Sequence, residues 1–217
     1  RNSLMPSLTQ AAKENKGEKE SFHLFEMSNI YIPQKGNLPK EILKLGGIVS
    51  GYSYRQAKGM IESLFENLKI EVSFEIEEEK GFLPNQHLVI SHENTEIGFF
   101  GTLTQGNYYY YELDVEKLRK HSLKFKPFKT PAKYPPQIED LTVKLPAKTK
   151  VGELVNSVLN VSKMIKKFQL KDIYKDAYTF SIYYQHPKKT LTNQEVKKIR
   201  NELTNKIKNK FGGIVRD

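Results

Sequence analysis

The sequence contains no cysteine. That excludes a disulfide framework, a thiolate nucleophile and any Cys-built zinc or iron–sulfur site, and it suits a reducing compartment such as the cytoplasm. It also lacks any apolar run approaching the ~18–20 residues that span a bilayer, so a soluble chain with no membrane partner is expected. The first 17 residues hold no apolar stretch between a basic start and a cleavage site, so they do not read as a signal peptide. A chain opening at Arg1 rather than Met is read as a fragment of something longer. The 13 glycines follow no triplet period, which excludes collagen. What is present is 217 residues, 38% hydrophobic and 11% aromatic, enough for one large domain or two small ones with real cores.

Charge divides the chain. Residues 1–122 hold 14 basic and 17 acidic side chains, whereas residues 123–217 hold 21 and 8, a net of +13. The change falls in a stretch rich in proline, which fixes φ and removes a donor, so residues 123–136 read as a linker entering a new domain. A basic domain beside a mildly acidic one points to a polyanion, because Lys and Arg contacts with phosphate release condensed counterions. A Lys-rich surface that serves solubility has the same composition, so charge leaves both readings open.

The basic part has a legible order. Asp140–Leu145 alternates Leu141, Val143 and Leu145 with polar residues, as a half-buried strand does. Val151–Val161 carries apolar residues at helical spacing. Met164–Tyr174 and Ala177–Gln185 read as strands around a Lys175-Asp176 turn, with Phe180, Ile182 and Tyr184 on one face and Thr179, Ser181 and Tyr183 on the other. Thr192 and Glu195 form a capping box opening a helix with Val196, Ile199, Leu203 and Ile207 on one stripe. Gly212 ends that helix and Ile214–Arg216 is a last short strand. The order β-α-β-β-α-β is a ferredoxin-like arrangement, whose sheet leaves one face open. Such faces bind RNA, metals, small effectors or other subunits, so fold alone does not choose among them.

Several segments resemble a family. Lys171-Asp-Ile-Tyr174, Tyr184-Gln185, Lys189-Thr-Leu-Thr-Asn-Gln-Glu-Val196, Phe211-Gly-Gly-Ile-Val-Arg216 and Lys133–Val143 are similar to the anticodon-binding domain of the bacterial phenylalanyl-tRNA synthetase β subunit. The resemblance implies that Asp172 and Tyr174 lie at the anticodon bases, the ring stacking on the first of them, with Lys171 beside them. Spacing two apart on a strand is compatible with that, since both side chains then share a face. The residues alone also allow Tyr174 in the core and Asp172 opening the turn. Lys188 and Lys189, before the capped helix, are candidate phosphate contacts or solvated surface. The chain departs from the family at Ile138 and Glu139, where two arginines are usual, and in the short Lys175-Asp176 turn.

In the first part, Pro6–Lys16 reads as a short helix, and Phe22–Ile32 is apolar enough for a central strand covered on both faces. Ile42–Tyr52 reads as a strand, and Gln56–Leu68 as a helix with Met60, Ile61, Leu64, Phe65 and Leu68 on one stripe. Strands at Glu71–Glu77, His87–Ser91, Glu96–Gly101 and Tyr109–Leu113 complete a mostly antiparallel sheet. Arg1–Leu8, Leu24-Phe-Glu26, Leu45–Gly51, Lys58–Glu62, Ile97–Gly101 and Tyr111–Asp114 resemble that β subunit's class II synthetase-like domain. The overall expectation is therefore α+β: an incomplete class II-like antiparallel domain over 1–122 and a ferredoxin-like domain over 137–217.

The resemblance implies a domain that copies the catalytic fold without its chemistry and docks the α subunit of an α2β2 tetramer. ATP and Mg²⁺ would serve the holoenzyme, with none expected on this chain. The residues agree in offering no catalytic or metal set. Arg1, Arg55 and Arg119 are the only arginines before residue 123. The histidines show no i, i+4 pair, Glu77–Glu79 reads as a solvated tip, and Tyr108–Tyr111 reads as strand packing plus a partner interface. Rival readings are a non-enzymatic regulatory protein with a ferredoxin-like effector-binding domain, for which a closed apolar pocket would speak, and a general RNA-binding protein.

Overall fold

The computed structural model describes residues 1–122, 133–147 and 149–216, so most of the linker expected over 123–136 lies outside the described residues. The chain divides into two compact units, Arg1–Pro127 and Phe128–Asp217.

The first unit is built on a six-stranded antiparallel sheet of order β1-β2-β6-β5-β4-β3. Its strands are β1 (Phe22–Gln34), β2 (Asn37–Ser50), β3 (Ser73–Ile76), β4 (Phe82–His92), β5 (Thr95–Leu103) and β6 (Tyr109–Asp114). Period-two alternation divides the inner strands β2, β4, β5 and β6 between two cores. On one face Leu4, Leu8 and Ala12, at and within α1 (Met5–Glu14), pack with Ile48, Phe82, Tyr108 and Tyr110. On the other, Ala57, Ile61 and Phe65 of α2 (Tyr54–Leu68) pack with Val49, Ile90, Phe100, Tyr111 and Leu113. The tyrosine run is thus core on both sides, with Tyr108, Tyr110 and Tyr111 all buried. Gly47 permits this: a Cβ there would stand 2.3 Å from the Tyr111 ring.

Two expectations change. β1 is the edge strand, not a central one: Phe22, Leu24 and Ile30 pack toward α1, while Phe25 and Met27 are 70% and 61% exposed. Its apolar run reflects one covered face plus exposed apolar residues on the other. A short helix, α3 (Val115–His121), follows β6, started by Asp114, whose side chain accepts from the Lys117 amide at 3.0 Å. The signal was Asp114 itself, a favoured N-cap residue ahead of Glu116 in the first turn.

A buried carboxylate ties α1 to the sheet. Glu112, on β6, accepts from Ser3 Oγ (2.8 Å), the Leu4 amide (2.9 Å) and the Tyr110 hydroxyl (2.6 Å). Burial, followed by the Glu112 charge, pushes the Tyr110 phenol far up, so it stays protonated and donates.

The second unit is a four-stranded antiparallel sheet of order β10-β7-β9-β8, with β7 (Gln137–Lys144), β8 (Ile165–Tyr174), β9 (Ala177–Tyr184) and β10 (Ile214–Arg216). Helices α4 (Val151–Leu159) and α5 (Asn193–Phe211) cover one face, giving the expected ferredoxin-like βαββαβ order. Leu154, Val158, Val196, Ile199, Leu203 and Ile207 close over Leu141, Val143, Phe180 and Ile182, and Phe168 stacks on Phe180 at 4.5 Å between centroids. The Thr192–Glu195 box caps α5, and Gly212 ends it at φ +64°, a conformation glycine adopts without penalty. No helix among the described residues is long and apolar enough to cross a membrane.

Glu112→Ala leaves three donors without their acceptor, two of them buried, and should lower the first unit's unfolding free energy by about 3 kcal/mol. Urea unfolding followed by tyrosine fluorescence measures this; an unchanged midpoint would refute the anchoring role. Thr192→Ala should cost the second unit about 1 kcal/mol, read the same way by circular dichroism.

Candidate nucleic-acid interface

The helix-free face of the second sheet is set by register. On β9, Tyr178, Phe180, Ile182 and Tyr184 turn to the helices, so Ala177, Thr179, Ser181 and Tyr183 occupy the open face. β8 is less regular. Phe168 and Leu170 pair with Ile182 and Phe180 on the core side. Strict alternation would continue inward with Asp172 and Tyr174, since all four share parity. The ladder shifts by one between Leu170 and Asp172, leaving Lys171 as the extra residue, and Asp172 then pairs with Thr179 and Tyr174 with Ala177. This β-bulge moves both side chains to the open face. Tyr174 is 69% exposed as a result.

The bulge has a trace in the sequence. Apolar positions on β8 run Phe168, Leu170, Ile173, so their spacing changes from two to three where Lys171 is inserted. Ile165 to Phe168 shows the same break, and there a second shift makes Lys166 the extra residue.

Around this face the candidate residues fall into two groups. Asp172 forms no hydrogen bond or ion pair among the described residues, and Lys175 Nζ lies 5.4 Å from the Tyr174 ring centroid. Lys175 adopts a left-handed φ of +54°, as tight two-residue loops require, and its neighbour Asp176 is paired to Lys144 at 2.6 Å. Lys171 reaches over β9 to Asp140 of β7 at 2.6 Å, where Ser181 also donates at 2.6 Å. The Lys171 bond, then the Ser181 bond, hold the Asp140 carboxyl below its usual range, and the Asp140 bond raises the Lys171 ammonium.

Lys188 and Lys189 lie beyond the far end of β9. The seven residue steps from Ala177 to Tyr184 correspond to about 23 Å of strand, so the structure does not bring these lysines beside Tyr174. The Lys188 amide donates to His186 Nδ1 at 3.0 Å, and Lys189 is ion-paired with Glu195. The open face also presents groups not singled out from sequence: Lys167, whose Nζ is 5.5 Å from the Tyr183 ring centroid, Gln169, and Arg216, which pairs with Thr142.

The phenylalanyl-tRNA synthetase β chain CLM domain matches residues 1–116, and the ferredoxin-fold anticodon-binding domain matches residues 132–216. The chain belongs to the phenylalanyl-tRNA synthetase β chain family. Phenylalanine–tRNA ligase β subunits of Thermotoga maritima and Carboxydothermus hydrogenoformans are each 28% identical to it, and one from Bacillus cereus is 26% identical. These matches take in 98–100% of this chain but only 31% of each relative, so it spans about a third of their length.

At the two places where this β-chain family usually has arginines, Glu139 turns to the helices and accepts from Arg200 Nη1 at 3.0 Å, while Ile138 stands exposed on the open face. The guanidinium at this end of the sheet therefore comes from α5 rather than from β7.

In the first unit the arginines do not form a phosphate clamp. Arg1 is held by Glu26 at 2.8 Å and by Ser28, and Arg119 by Glu116 at 2.7 Å. His23 Nε2 lies 3.0 Å from the Tyr111 hydroxyl, with burial lowering its pKa. Among the described residues no three His, Asp or Glu side chains gather as metal ligands.

The Lys189 contact, followed by the Thr192 bonds, draws the Glu195 carboxyl from 4.5 down to about 2. A carboxylate lowered by folding stabilises the native state fully above its unfolded pKa and loses that contribution as pH falls through the folded one. The second unit should therefore lose stability between about pH 4.5 and about pH 2, and Glu195→Gln should flatten that part of the profile. Urea midpoints across the window, read by circular dichroism, check this.

Proposed function

We propose that this chain is the C-terminal part of a phenylalanine–tRNA ligase β subunit, and that its second unit binds the anticodon stem-loop of the tRNA for phenylalanine. The observation carrying this reading is the bulge at Lys171, which puts an unpaired carboxylate and an exposed tyrosine two residues apart on the open face of a unit whose residues 128–217 carry a net charge of +11. Tyr174 offers a ring on which an unpaired base stacks, and Asp172 accepts from a base amino or imino group, an interaction that phosphate binding alone would not need. Lys171, Lys188 and Lys189 contribute phosphate contacts, the last two along a flank of the stem rather than at the bases.

The first unit acts as a platform for the α subunit, in an α2β2 assembly working in the cytoplasm. Its edge strand β1 supports this reading, because Phe25 and Met27 lie exposed on the sheet face opposite α1. The ligase reaction, with ATP and Mg²⁺, belongs to the holoenzyme. In the first unit Arg1 and Arg119 are engaged by carboxylates, so neither is placed to clamp a phosphate, and no step of the reaction is routed through them.

Binding of the full chain to the cognate anticodon stem-loop, read by fluorescence anisotropy, tests the RNA assignment. Tyr174→Ala should weaken binding by about tenfold or more, the loss of a stacking contact worth ~1–3 kcal/mol, and Asp172→Ala should weaken it and relax discrimination at one base. Unchanged affinity in both variants would overturn the assignment. Affinity should also fall steeply between about 50 and 200 mM salt.

A further inference from the structure

A second aromatic ring stands on the same open face, at the opposite end from Tyr174. Tyr183 of β9 pairs with Lys167 of β8 and Ile138 of β7, and it lines an open hollow of about 570 Å³ together with Gln169, Lys171, Asp140 and Ser181. That volume is in the range of ligand-binding clefts, but the hollow is shallow, polar and set on a flat sheet. Such a shape suits a planar group lying against a ring rather than an enclosed apolar effector.

The chemistry around the ring is that of a nucleotide. Gln169 forms no hydrogen bond among the described residues, so its amide can both donate to and accept from a base edge. Lys167 lies over the ring and does not line the hollow, which leaves its ammonium placed for a phosphate beside a base seated there. Two carboxylates line the hollow, and each has a cationic partner: Asp140 is paired with Lys171, and Glu139 with Arg200 of α5 at 3.0 Å, so neither opposes an incoming polyanion as an unpaired charge.

Building on the RNA-binding role argued above, we propose that the hollow at Tyr183 is a second unpaired-nucleotide subsite, so that this face holds a single-stranded run with one base stacked at each end. Tyr174 faces out opposite Ala177, six residues before Tyr183 on β9, which places the two rings about 20 Å apart along the strand. A run of several ribonucleotides bridges that span, passing Thr179, Ser181 and Gln169 between the rings. The occupant is RNA rather than protein because the face joins the exposed Tyr174 ring and the half-buried Tyr183 ring to cationic side chains within a unit whose residues 128–217 carry a net charge of +11.

The test uses the full chain with unstructured oligoribonucleotides of increasing length carrying 2-aminopurine at one end. Affinity should rise by about tenfold once the oligomer is long enough to reach both rings, with quenching of the terminal fluorophore. Tyr183→Ala should abolish that gain and the quenching while leaving the shortest oligomers bound, and Tyr183→Phe, which keeps the ring, should retain both. If Tyr183→Ala binds long oligomers as the unaltered chain does while Tyr174→Ala does not, the second subsite is refuted and the anticodon assignment stands. If the unaltered chain binds no RNA, or equally well with either ring removed, both assignments fall. Circular dichroism melts of each variant separate loss of binding from loss of fold.

Discussion

The register of β8 against β9 is the constraint on which the rest of the second unit depends. Phe168 and Leu170 must turn inward, because Phe168 stacks on Phe180 beneath the helices and its burial is part of what holds the domain together. In a strand of strict period two, that demand would drag Asp172 and Tyr174 into the same core. An unpaired carboxylate there would cost several kcal/mol. One inserted residue resolves the conflict: Lys171 takes the bulge, the inward set resumes at Ile173 opposite Tyr178, and the polar pair emerges on the open side. Packing and recognition thus share one strand because the ladder changes phase between them.

Charge on that face is arranged more carefully than the net value suggests. Several lysines around the sheet are answered locally: Lys171 by Asp140, Lys144 by Asp176 and Lys189 by Glu195. Exposed pairs of this kind contribute little stability. Their consequence lies in geometry, since they fix the long side chains at the rim, where the ammonium groups still face solvent, and leave Asp172, Gln169 and the two tyrosines as the groups on the face itself that address a base. The excess of positive charge then acts at longer range, drawing a polyanion toward a face whose centre is close to neutral.

In the first unit the governing group is Glu112. A carboxylate buried in a sheet is tolerable only with hydrogen-bond donors around it, and Ser3, Leu4 and Tyr110 all converge on its Oε2. The same bonds dock the start of α1, so the helix covering one face is positioned by a charge emerging from β6. The other face is closed by α2 and α3, but neither covers Phe25 and Met27 on the edge strand. Arg1 and Arg119 are held by carboxylates on the surface, which fits a scaffold better than a phosphate-handling site.

Much of this architecture was legible in the residues themselves. Alternation on β9, the stripe on α5, the Thr192–Glu195 box and Gly212 each specify a local conformation through short-range sterics and hydrogen bonds, so βαββαβ order follows without knowledge of distant contacts. Whether β1 lies at an edge or in the middle of a sheet was not legible, because an apolar strand reads the same wherever its neighbours come from, and the neighbours are chosen by packing across the whole unit. The face taken by Asp172 and Tyr174 belongs to the same class. Sequence spacing put the two together; only pairing with β9, which forces the phase shift at Lys171, decided that they look outward. Side-chain period is a local property, whereas the side of a sheet that meets solvent is settled by which helices arrive to cover the other.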